Sequence, residues 1–384
     1  MPGPQAGNAR LRNLRCAKAL DVIIKKTQSD TALHKKNHRS MRPTPSQGTV
    51  LPIQYLRGIA AMMVVFHHIK VQIPSFEGYL PGEFGASGVD VFFVISGFIM
   101  HITTANASIK PGEFMLRRMI RVAPLYWLLT ALMCLVWWAA PSLFKTLIVT
   151  PATFFQSLFF IPHDSLAFPD KIFPLLVPGW TLNFEMFFYV IFALTLVLPK
   201  TLQPGAVGVF LVALVLLGVL AGPFDSALLA TYTSPLLLEF AAGVLLGRLW
   251  LAQPEGLSTR VGVAVFLLGW ALLVCNSVVA VSKYVDIVGA SLIVAGALNT
   301  GFLRWKNHSL KVLGDATYAI YLSHIFTLGV FRVIWARLVG TAGSSLNALA
   351  FAATAMAVCL AAGVLLYICL EKPLTRYLQQ RLVG

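Results

Sequence analysis

Residues 51–70 read LPIQYLRGIAAMMVVFHHIK. This mostly apolar run is long enough to cross the hydrocarbon core of a bilayer, which takes about 20 residues of α-helix. It also carries Arg57, His67 and His68. A charged or titratable group inside a span costs free energy unless it is paired or hydrated, so each such group is a functional candidate. The stretch therefore predicts a membrane helix and indicates where the function lies.

The composition of the whole chain is that of a membrane protein. Of 384 residues, 57% are hydrophobic and 12% are charged, whereas soluble domains carry about 25% charged residues. The net charge of +15 does not indicate nucleic-acid binding, because the positive residues are not gathered on one soluble domain and no P-loop, zinc knuckle or aromatic-basic RNA motif is present. The five cysteines show no CxxC spacing, and we predict no metal site.

Ten apolar stretches are long enough to be spans. We therefore predict an all-α polytopic integral membrane protein with about ten transmembrane helices. The predicted spans lie near 52–72, 87–104, 121–141, 180–199, 205–222, 229–250, 260–276, 282–300, 316–338 and 346–370. The apolar stretch 147–162 is broken by Pro151 and Pro162, and it predicts an interfacial or re-entrant segment within a long outer loop.

The loop charges predict the orientation. Twenty-three of the 30 lysines and arginines fall on one side of the ten predicted spans, and such an excess marks the cytoplasmic side. Both termini are therefore predicted to be cytoplasmic. Residues 1–48 are polar and basic without the apolar core of a signal peptide, and they predict a disordered tail. Residues 49–384 are the predicted membrane domain, and a start at Met1 or at Met41 stays open.

Arg57 and His68 are predicted to face the same side of the first span. They are eleven residues apart, and eleven steps of a helix return to within about 20° of the starting direction and about 16 Å further along the axis. His67 points in another direction. The shared face suggests a polar path across the membrane. The alternative is structural: an arginine that reaches the interface and a histidine bonded to a neighbour.

The second span begins FGASGVDVFFVISGFIM, residues 84–100. Asp90 falls at its outer end, level with His68, so its carboxylate is a candidate to orient that imidazole. The sequence does not decide whether the two residues touch. Gly85, Gly88 and Gly97 allow close approach of another backbone, and small residues of this kind are typical of helix packing in membranes.

Arginines cluster at the inner entrance of the third span, in GEFMLRRMIRVAPLYW, residues 112–127. Arg117 and Arg121 share a helix face because they are four residues apart, and Arg118 lies between them. One interpretation is contact with anionic lipid head groups. The other is a clamp for the phosphates of a cytoplasmic donor, since the guanidinium matches phosphate geometry.

Two carboxylates lie within later spans. Glu185 lies about one and a half turns into the fourth span from the outer side, with Tyr189 one turn further, and Glu239 lies near the middle of its span. Each of the two glutamates is either a general acid or base or the partner of a buried arginine.

Two polar features near the end of the chain favour a structural role. Tyr318, Tyr321 and His324 form a drifting stripe along the ninth span, and Glu371 with its neighbours Lys372 and Pro373 indicates a helix leaving the membrane at the interface.

Taken together, these motifs resemble those of the membrane acyltransferase-3 family, and within it those of bacterial exopolysaccharide O-acetyltransferases. The resemblance covers about residues 51–380, in family order. The matching pieces are the Arg-x10-His of the first span, GVDVFFVISGF (88–98), LRRMIRVAPLYW (116–127), PGWTLNFEMFFY (178–189), LLLEFAAGVLLG (236–247), LGDATYAIYLSH (313–324) and EKP (371–373).

The resemblance implies transfer of an acyl group, usually acetyl, from cytoplasmic acyl-CoA to a hydroxyl of an extracytoplasmic or lipid-linked carbohydrate. It implies a bacterial inner-membrane enzyme whose partners are acyl-CoA, a carbohydrate acceptor and the lipid bilayer. Acetyl-CoA or another acyl-CoA would be a donor substrate, and no tightly bound cofactor and no nucleic acid are expected. The predicted catalytic residues are His68, Arg57, Glu185 and Asp90, and the predicted donor-binding residues are Arg117, Arg118 and Arg121.

The chemistry leaves two mechanisms open. His68 fits a base for the acceptor hydroxyl or a nucleophile that carries the acyl group, and Asp90 or Glu185 is a candidate to orient it. The rival hypothesis is a transporter or flippase for a glycan or small anion, in which the same buried charges form a substrate path. No inverted repeat is visible in the sequence to favour it.

Overall fold

The computed structural model describes residues 50–72, 84–141, 146–253, 255–300, 305–340 and 345–383. The predicted tail, residues 1–48, lies outside these ranges, as does Met41. Within the described ranges the chain is helical and contains no strand. Thr49–Ala252 and Leu257–Gly384 form one compact unit, and every contact described below lies within it. The second unit, Met1–Gly48 with Gln253–Gly256, falls largely outside the described residues.

The helices are numbered here in chain order. They are α1 Leu51–Val71, α2 Gly88–Thr104, α3 Pro111–Ala139, α4 Pro151–Leu158, α5 Trp180–Thr195, α6 Gln203–Ala221, α7 Ala227–Tyr232, α8 Leu237–Ala252, α9 Thr259–Val279, α10 Lys283–Asn299, α11 His308–Asp315, α12 Thr317–Leu338, α13 Ser345–Leu366 and α14 Lys372–Leu382. A 3₁₀ turn, Val177–Gly179, precedes α5, and a π-helical turn, Tyr367–Glu371, joins α13 to α14.

Seven helical segments of the described chain are long and apolar enough to cross a membrane. They are Pro111–Ala139, Val177–Thr195, Gln203–Ala221, Ala227–Ala252, Thr259–Val279, Thr317–Leu338 and Ser345–Leu382. Gly88–Thr104 is apolar but shorter. Each predicted span coincides with a helix, so the all-α membrane class is confirmed. The count of ten and the side of each terminus stay predictions.

Two predicted spans differ from the helices that form. The third begins at Pro111 rather than near residue 121, because proline is well accepted in the first turn of a helix. Its three arginines are therefore helical residues rather than loop residues. The sixth is divided into α7 and α8 by residues 233–236, where Pro235 lacks the amide that a continuous helix needs.

The predicted interfacial or re-entrant segment forms the short helix α4. Eight residues are too few to cross a bilayer. The hydroxyl of Ser157 accepts a hydrogen bond of 3.0 Å from the amide of Leu175, and the indole of Trp127 donates one of 2.8 Å to the carbonyl of Leu158. These bonds tie α4 to α3 and to the segment leading into α5.

Helix α1 lies among the others, in contact with α2, α10, α11, α12 and α13. Helices α3 and α5 pack together, and each also contacts a helix of the first group, α12 and α2 respectively. Glycines permit the closest of these approaches. A Cβ on Gly88 would collide with the backbone of α1, and one on Gly97 or Gly243 would collide with the backbone of the facing helix, α8 or α2. Their predicted role in helix packing is confirmed.

Candidate active site

A cavity of ≈170 Å³ lies among α1, α2, α3, α5 and α12. Its apolar wall comes mainly from α2, with Phe92, Phe93 and Ile99 among its residues. The polar residues that line it are Arg57, Ser96, Arg118, Arg121, Thr181, Glu185, Tyr189, Thr317, Tyr318 and Tyr321. Four of the seven predicted site residues are in this list: Arg57, Glu185, Arg118 and Arg121.

Arg57 is held by a line of polar contacts that runs to the surface. Its guanidinium donates to the side-chain oxygen of Gln54 at 3.3 Å, and the amide nitrogen of Gln54 donates to the carboxylate of Asp315. That carboxylate also accepts from Lys311 at 2.9 Å. A Cβ on Gly314 would collide with the backbone of Gln54, so a glycine is needed for α11 to approach α1 this closely.

Arg121 is paired with Glu371, which lies in the π-helical turn after α13. The side chain of Glu371 is 1% exposed. That the helix leaves the membrane at the interface here stays a prediction, but the side chain of Glu371 faces the protein interior. It turns inward because its carboxylate compensates the Arg121 guanidinium at the cavity, a pairing across 250 positions of the chain that no local pattern reveals.

Arg118 lies at the cavity without an ion pair. It makes no hydrogen bond to any residue that the structure describes, and its Nε atom is buried. Its guanidinium carbon lies 5.3 Å from the ring centre of Phe114 and 5.9 Å from that of Tyr189. Aromatic faces hold a guanidinium in place while leaving its donors available. Arg118 is therefore positioned to bind an anion.

Arg117 does not line the cavity. Its guanidinium is paired with Glu113, one turn earlier on α3, at 2.7 Å, and both side chains are well exposed. The three neighbouring arginines thus have three different environments: a surface pair at Arg117, an unpaired cation at Arg118 and a buried pair at Arg121.

Glu185 is bonded to hydroxyl groups. Its carboxylate accepts from the phenol of Tyr189 and, at 3.2 Å, from the hydroxyl of Ser96. The alternative of a glutamate bonded directly to a buried arginine does not hold for Glu185.

The cavity carries an excess of positive charge. Arg57, Arg118 and Arg121 together carry three positive charges at the cavity, against two negative charges on Glu185 and Glu371. One positive charge is left over, and an anionic ligand or a developing oxyanion would compensate it.

His68 lies beyond the cavity wall. Its Nδ1 donates to the carbonyl of Val64 at 2.9 Å, one turn earlier on α1. Its ring is in contact with those of His67 and His324, with centres 5.3 and 4.8 Å apart. The ring of Tyr321, which does line the cavity, is centred 6.1 Å from that of His324. His68 is thus adjacent to the cavity through Tyr321 and His324.

Asp90 has a partner other than His68. Its carboxylate accepts from Lys283, at the start of α10, and Lys283 also lies 3.5 Å from Asp286. Glu239, fully buried on α8, is surrounded by the same charged groups. The proposed orientation of His68 by Asp90 or Glu185 is therefore not found: α10 supplies the partner of Asp90, and hydroxyl groups supply those of Glu185.

Sequence reasoning missed part of the site. Tyr321 bonds Thr181 at 2.9 Å and the carbonyl of Pro178 at 3.0 Å, so it joins α12 to the start of α5 at the cavity wall. The phenol of Tyr318 donates to the carbonyl of Val122 on α3 at 2.6 Å. The polar stripe on α12 is the available signal, but its pattern alone favours a structural role. Among the described residues, no cluster of histidine, cysteine and carboxylate side chains could hold a metal ion.

Comparisons with known proteins show to which family the chain belongs. A family model described as an acyltransferase domain matches residues 51–368. The chain is 39% identical over 300 residues to the exopolysaccharide production protein ExoZ of Rhizobium meliloti, covering 76% of this chain and 90% of ExoZ. It is 26% identical over 301 residues to BcsY of Komagataeibacter xylinus, named as a proposed membrane-bound transacylase, covering 71% of each. No solved structure matches the chain significantly. The chain belongs to the acyltransferase-3 family of membrane enzymes.

Proposed function

We propose that this acyltransferase moves an acyl group, acetyl as the first candidate, from cytoplasmic acyl-CoA to a hydroxyl of an extracytoplasmic or lipid-linked carbohydrate. The acceptor class is supported by the likeness to ExoZ, whose name refers to exopolysaccharide production. The proposal includes ten spans with both termini in the cytoplasm of a bacterium and an enzyme resident in the inner membrane. The excess of positive loop charges on one side supports that orientation.

The unpaired Arg118 at the cavity is the observation that carries the proposal for the donor. An acyl-CoA brings negative charge in two forms: its phosphates, and the oxyanion that develops on the thioester carbonyl during transfer. A buried guanidinium without a protein partner stabilises either one strongly. Arg57 lies on the same cavity, and among the described residues its hydrogen-bond partner is only the amide of Gln54. The apolar wall from α2 suits the pantetheine arm and a short acyl chain.

His68 is the proposed base. In the transfer, the O–H bond of the acceptor breaks and its proton passes to the Nε2 of His68. A new O–C bond forms to the acyl carbon, the C–S bond of the thioester breaks, and the CoA thiolate then takes the proton from His68. Because Nδ1 already donates to the carbonyl of Val64, Nε2 is the nitrogen with the free lone pair in the neutral ring. A covalent acyl-His68 intermediate is the alternative order of events.

Purified protein in lipid nanodiscs, supplied with labelled acetyl-CoA and deacylated exopolysaccharide, tests the proposal. Label in the polysaccharide with stoichiometric release of CoA is expected. His68→Ala is expected to abolish both while the protein still inserts into the membrane. The absence of both label transfer and CoA release with every short acyl-CoA would contradict the proposal. Glycan transport without acylation would favour the transporter. Retained activity in His68→Ala would move the base to His67 or His324.

A further inference from the structure

The imidazole of His324 is the second half of a histidine pair whose first half is His68. His324 is fully buried on α12, whereas His68 on α1 keeps part of its surface exposed. The ring centres are 4.8 Å apart and the ring planes meet at 64°. Helix α13 lies behind His324, where the thiol of Cys359 contacts its carbonyl oxygen. The pair thus has an accessible member and a member enclosed by protein.

In both rings Nε2 is the nitrogen that keeps a lone pair. The Nδ1 of His324 bonds the carbonyl of Tyr321 at 2.6 Å, and the Nδ1 of His68 bonds the carbonyl of Val64 at 2.9 Å. A carbonyl oxygen can only accept, so both Nδ1 atoms donate, and in a neutral imidazole Nε2 then keeps its lone pair. The Nε2 of His324 is buried and has no hydrogen-bond partner in the described part of the chain.

The third group of a catalytic triad normally stabilises the imidazolium that forms when the histidine base takes a proton. In the described ranges, neither His68 nor His324 is bonded to a carboxylate, because Asp90 and Glu185 have other partners. The polar group in contact with His68 from the enclosed side is His324. A buried polar atom left without a partner lowers stability, which is unfavourable for a residue that only fills space.

We propose that His324 is a positioning residue for His68: its ring packs against the His68 imidazole and holds it in place, and the lone pair on its buried Nε2 stabilises the imidazolium when His68 is protonated. The inference rests on the proposed function, in which His68 takes the acceptor proton and returns it to the CoA thiolate. His324 itself gains and loses no proton. It acts on the rate of transfer rather than on donor binding, because it does not line the cavity.

Two substitutions at His324 separate this role from a structural one. His324→Asn keeps a donor near the position of Nδ1, and with it the bond to the Tyr321 carbonyl, but removes the acceptor beside His68. His324→Gln places an amide near the position of Nε2 and retains an acceptor there. His163→Leu is the matched control, because His163 is also buried with Nδ1 bonded to a backbone carbonyl, that of Ile161.

In the nanodisc assay, we expect the kcat of His324→Asn to fall by about 10²–10⁴-fold, the range of general-base catalysis, with KM for acetyl-CoA unchanged. His324→Gln should retain at least tenfold more activity than His324→Asn, and His163→Leu should match the unsubstituted enzyme. Equal activities of the Asn and Gln variants, or a higher activity of the Asn variant, would overturn the inference while acyl transfer by the unsubstituted enzyme still stood. If the unsubstituted enzyme transfers no acyl group, the proposed function is overturned, and the inference with it.

Size-exclusion chromatography and thermal unfolding keep this comparison interpretable. If His324→Asn does not fold, His324→Leu, which also lacks the acceptor beside His68, carries the test through its own split between kcat and KM. A lowered kcat with unchanged KM supports the inference, and an unchanged kcat or a raised KM contradicts it.

Discussion

The guanidinium of Arg121 is bonded to the carboxylate of Glu371, and this ion pair joins α3 to the π-helical turn at the end of α13. Arg121 has 30% of its side chain exposed at the cavity, whereas Glu371 is enclosed. The pair therefore compensates one of the three positive charges at the cavity and also ties the C-terminal part of the chain to the wall of the site.

Separating Arg121 from Glu371 should cost stability. Glu371→Gln leaves the Arg121 cation without its partner, and Arg121→Gln leaves a carboxylate buried and uncompensated, which is the more costly change. We expect a coupling energy of about 1–3 kcal/mol between the two sites, measured by unfolding of both single variants and the double variant in detergent. A coupling energy near zero would mean that the pair does not stabilise the fold.

Replacing Arg118 should weaken the reaction with the donor. Arg118→Gln removes the unpaired cation from the cavity, and a hydrogen bond to a charged group is worth about 1.5–3 kcal/mol. We expect kcat/KM for acetyl-CoA to fall by about 10–100-fold. A rise in KM would indicate that Arg118 binds a phosphate, and a fall in kcat would indicate that it stabilises the oxyanion.

Arg117→Gln is the matched control for this substitution. Arg117 is the adjacent residue on the same helix, but it forms an exposed pair with Glu113, and exposed pairs contribute about 0–1 kcal/mol. Its kcat/KM should stay within about twofold of the unsubstituted enzyme. Similar losses in both variants would show a general effect of charge at the end of α3 rather than a specific contact at the cavity.

The sequence predicted the positions of the spanning helices better than the contacts of the site. Hydropathy over about 20 residues depends only on local composition, and it placed a helix at every predicted span. It failed where proline acted locally: Pro111 allowed α3 to begin earlier, and Pro235 divided α7 from α8. The functional role of Arg57, Arg118, Arg121 and Glu185 stays a prediction, but all four line one cavity.

The pairings could not be predicted, because each joins helices far apart in the chain. The sequence pairs Asp90 with His68 only through their similar depth in the membrane. Depth fixes a level along the membrane normal but leaves open which helix lies next to which, and α10 supplied Lys283 instead. The sequence favours a structural role for His324 for the same reason, since its contact with His68 depends on the packing of α12 against α1.

Gln54 should matter for catalysis although it does not line the cavity. Its amide bonds Arg57 on one side and Asp315 on the other, so Gln54→Leu frees the guanidinium and leaves the carboxylate short of a donor. We expect kcat/KM to fall by about tenfold, the loss of one charge-assisted hydrogen bond. Steady-state kinetics with acetyl-CoA measures this, and unchanged kinetics in a folded variant would show that Arg57 does not depend on Gln54.

Lys311→Met is the control for the outer end of this line of contacts. The hydrogen bond to Asp315 raises the pKa of Lys311 above its ordinary 10.5. The contribution of the Lys311–Asp315 pair to stability is therefore fully present below pH 10.5 and is lost as the pH rises through the higher folded-state pKa of Lys311. The pair is partly exposed, so at pH 7–9 Lys311→Met should leave kcat/KM unchanged and its effect on stability should not vary with pH. Activity that falls as in Gln54→Leu would extend the functional line to Lys311.

Asp90 should act in folding rather than in the transfer itself. Its carboxylate is buried and bonded to Lys283, so Lys283→Met leaves it uncompensated beside the buried Glu239. A fully buried pair broken from one side costs about 3–5 kcal/mol, and since 40% of the Lys283 side chain is exposed, we expect about 1–3 kcal/mol. The double variant with Asp90→Asn should regain part of that loss, because no uncompensated Asp90 charge remains.

Thermal unfolding of the three variants measures stability, and acyl transfer well below the unfolding temperature measures function. Asp90→Asn should keep its kcat within about threefold, whereas a stable Asp90→Asn enzyme without activity would restore Asp90 to the catalytic group.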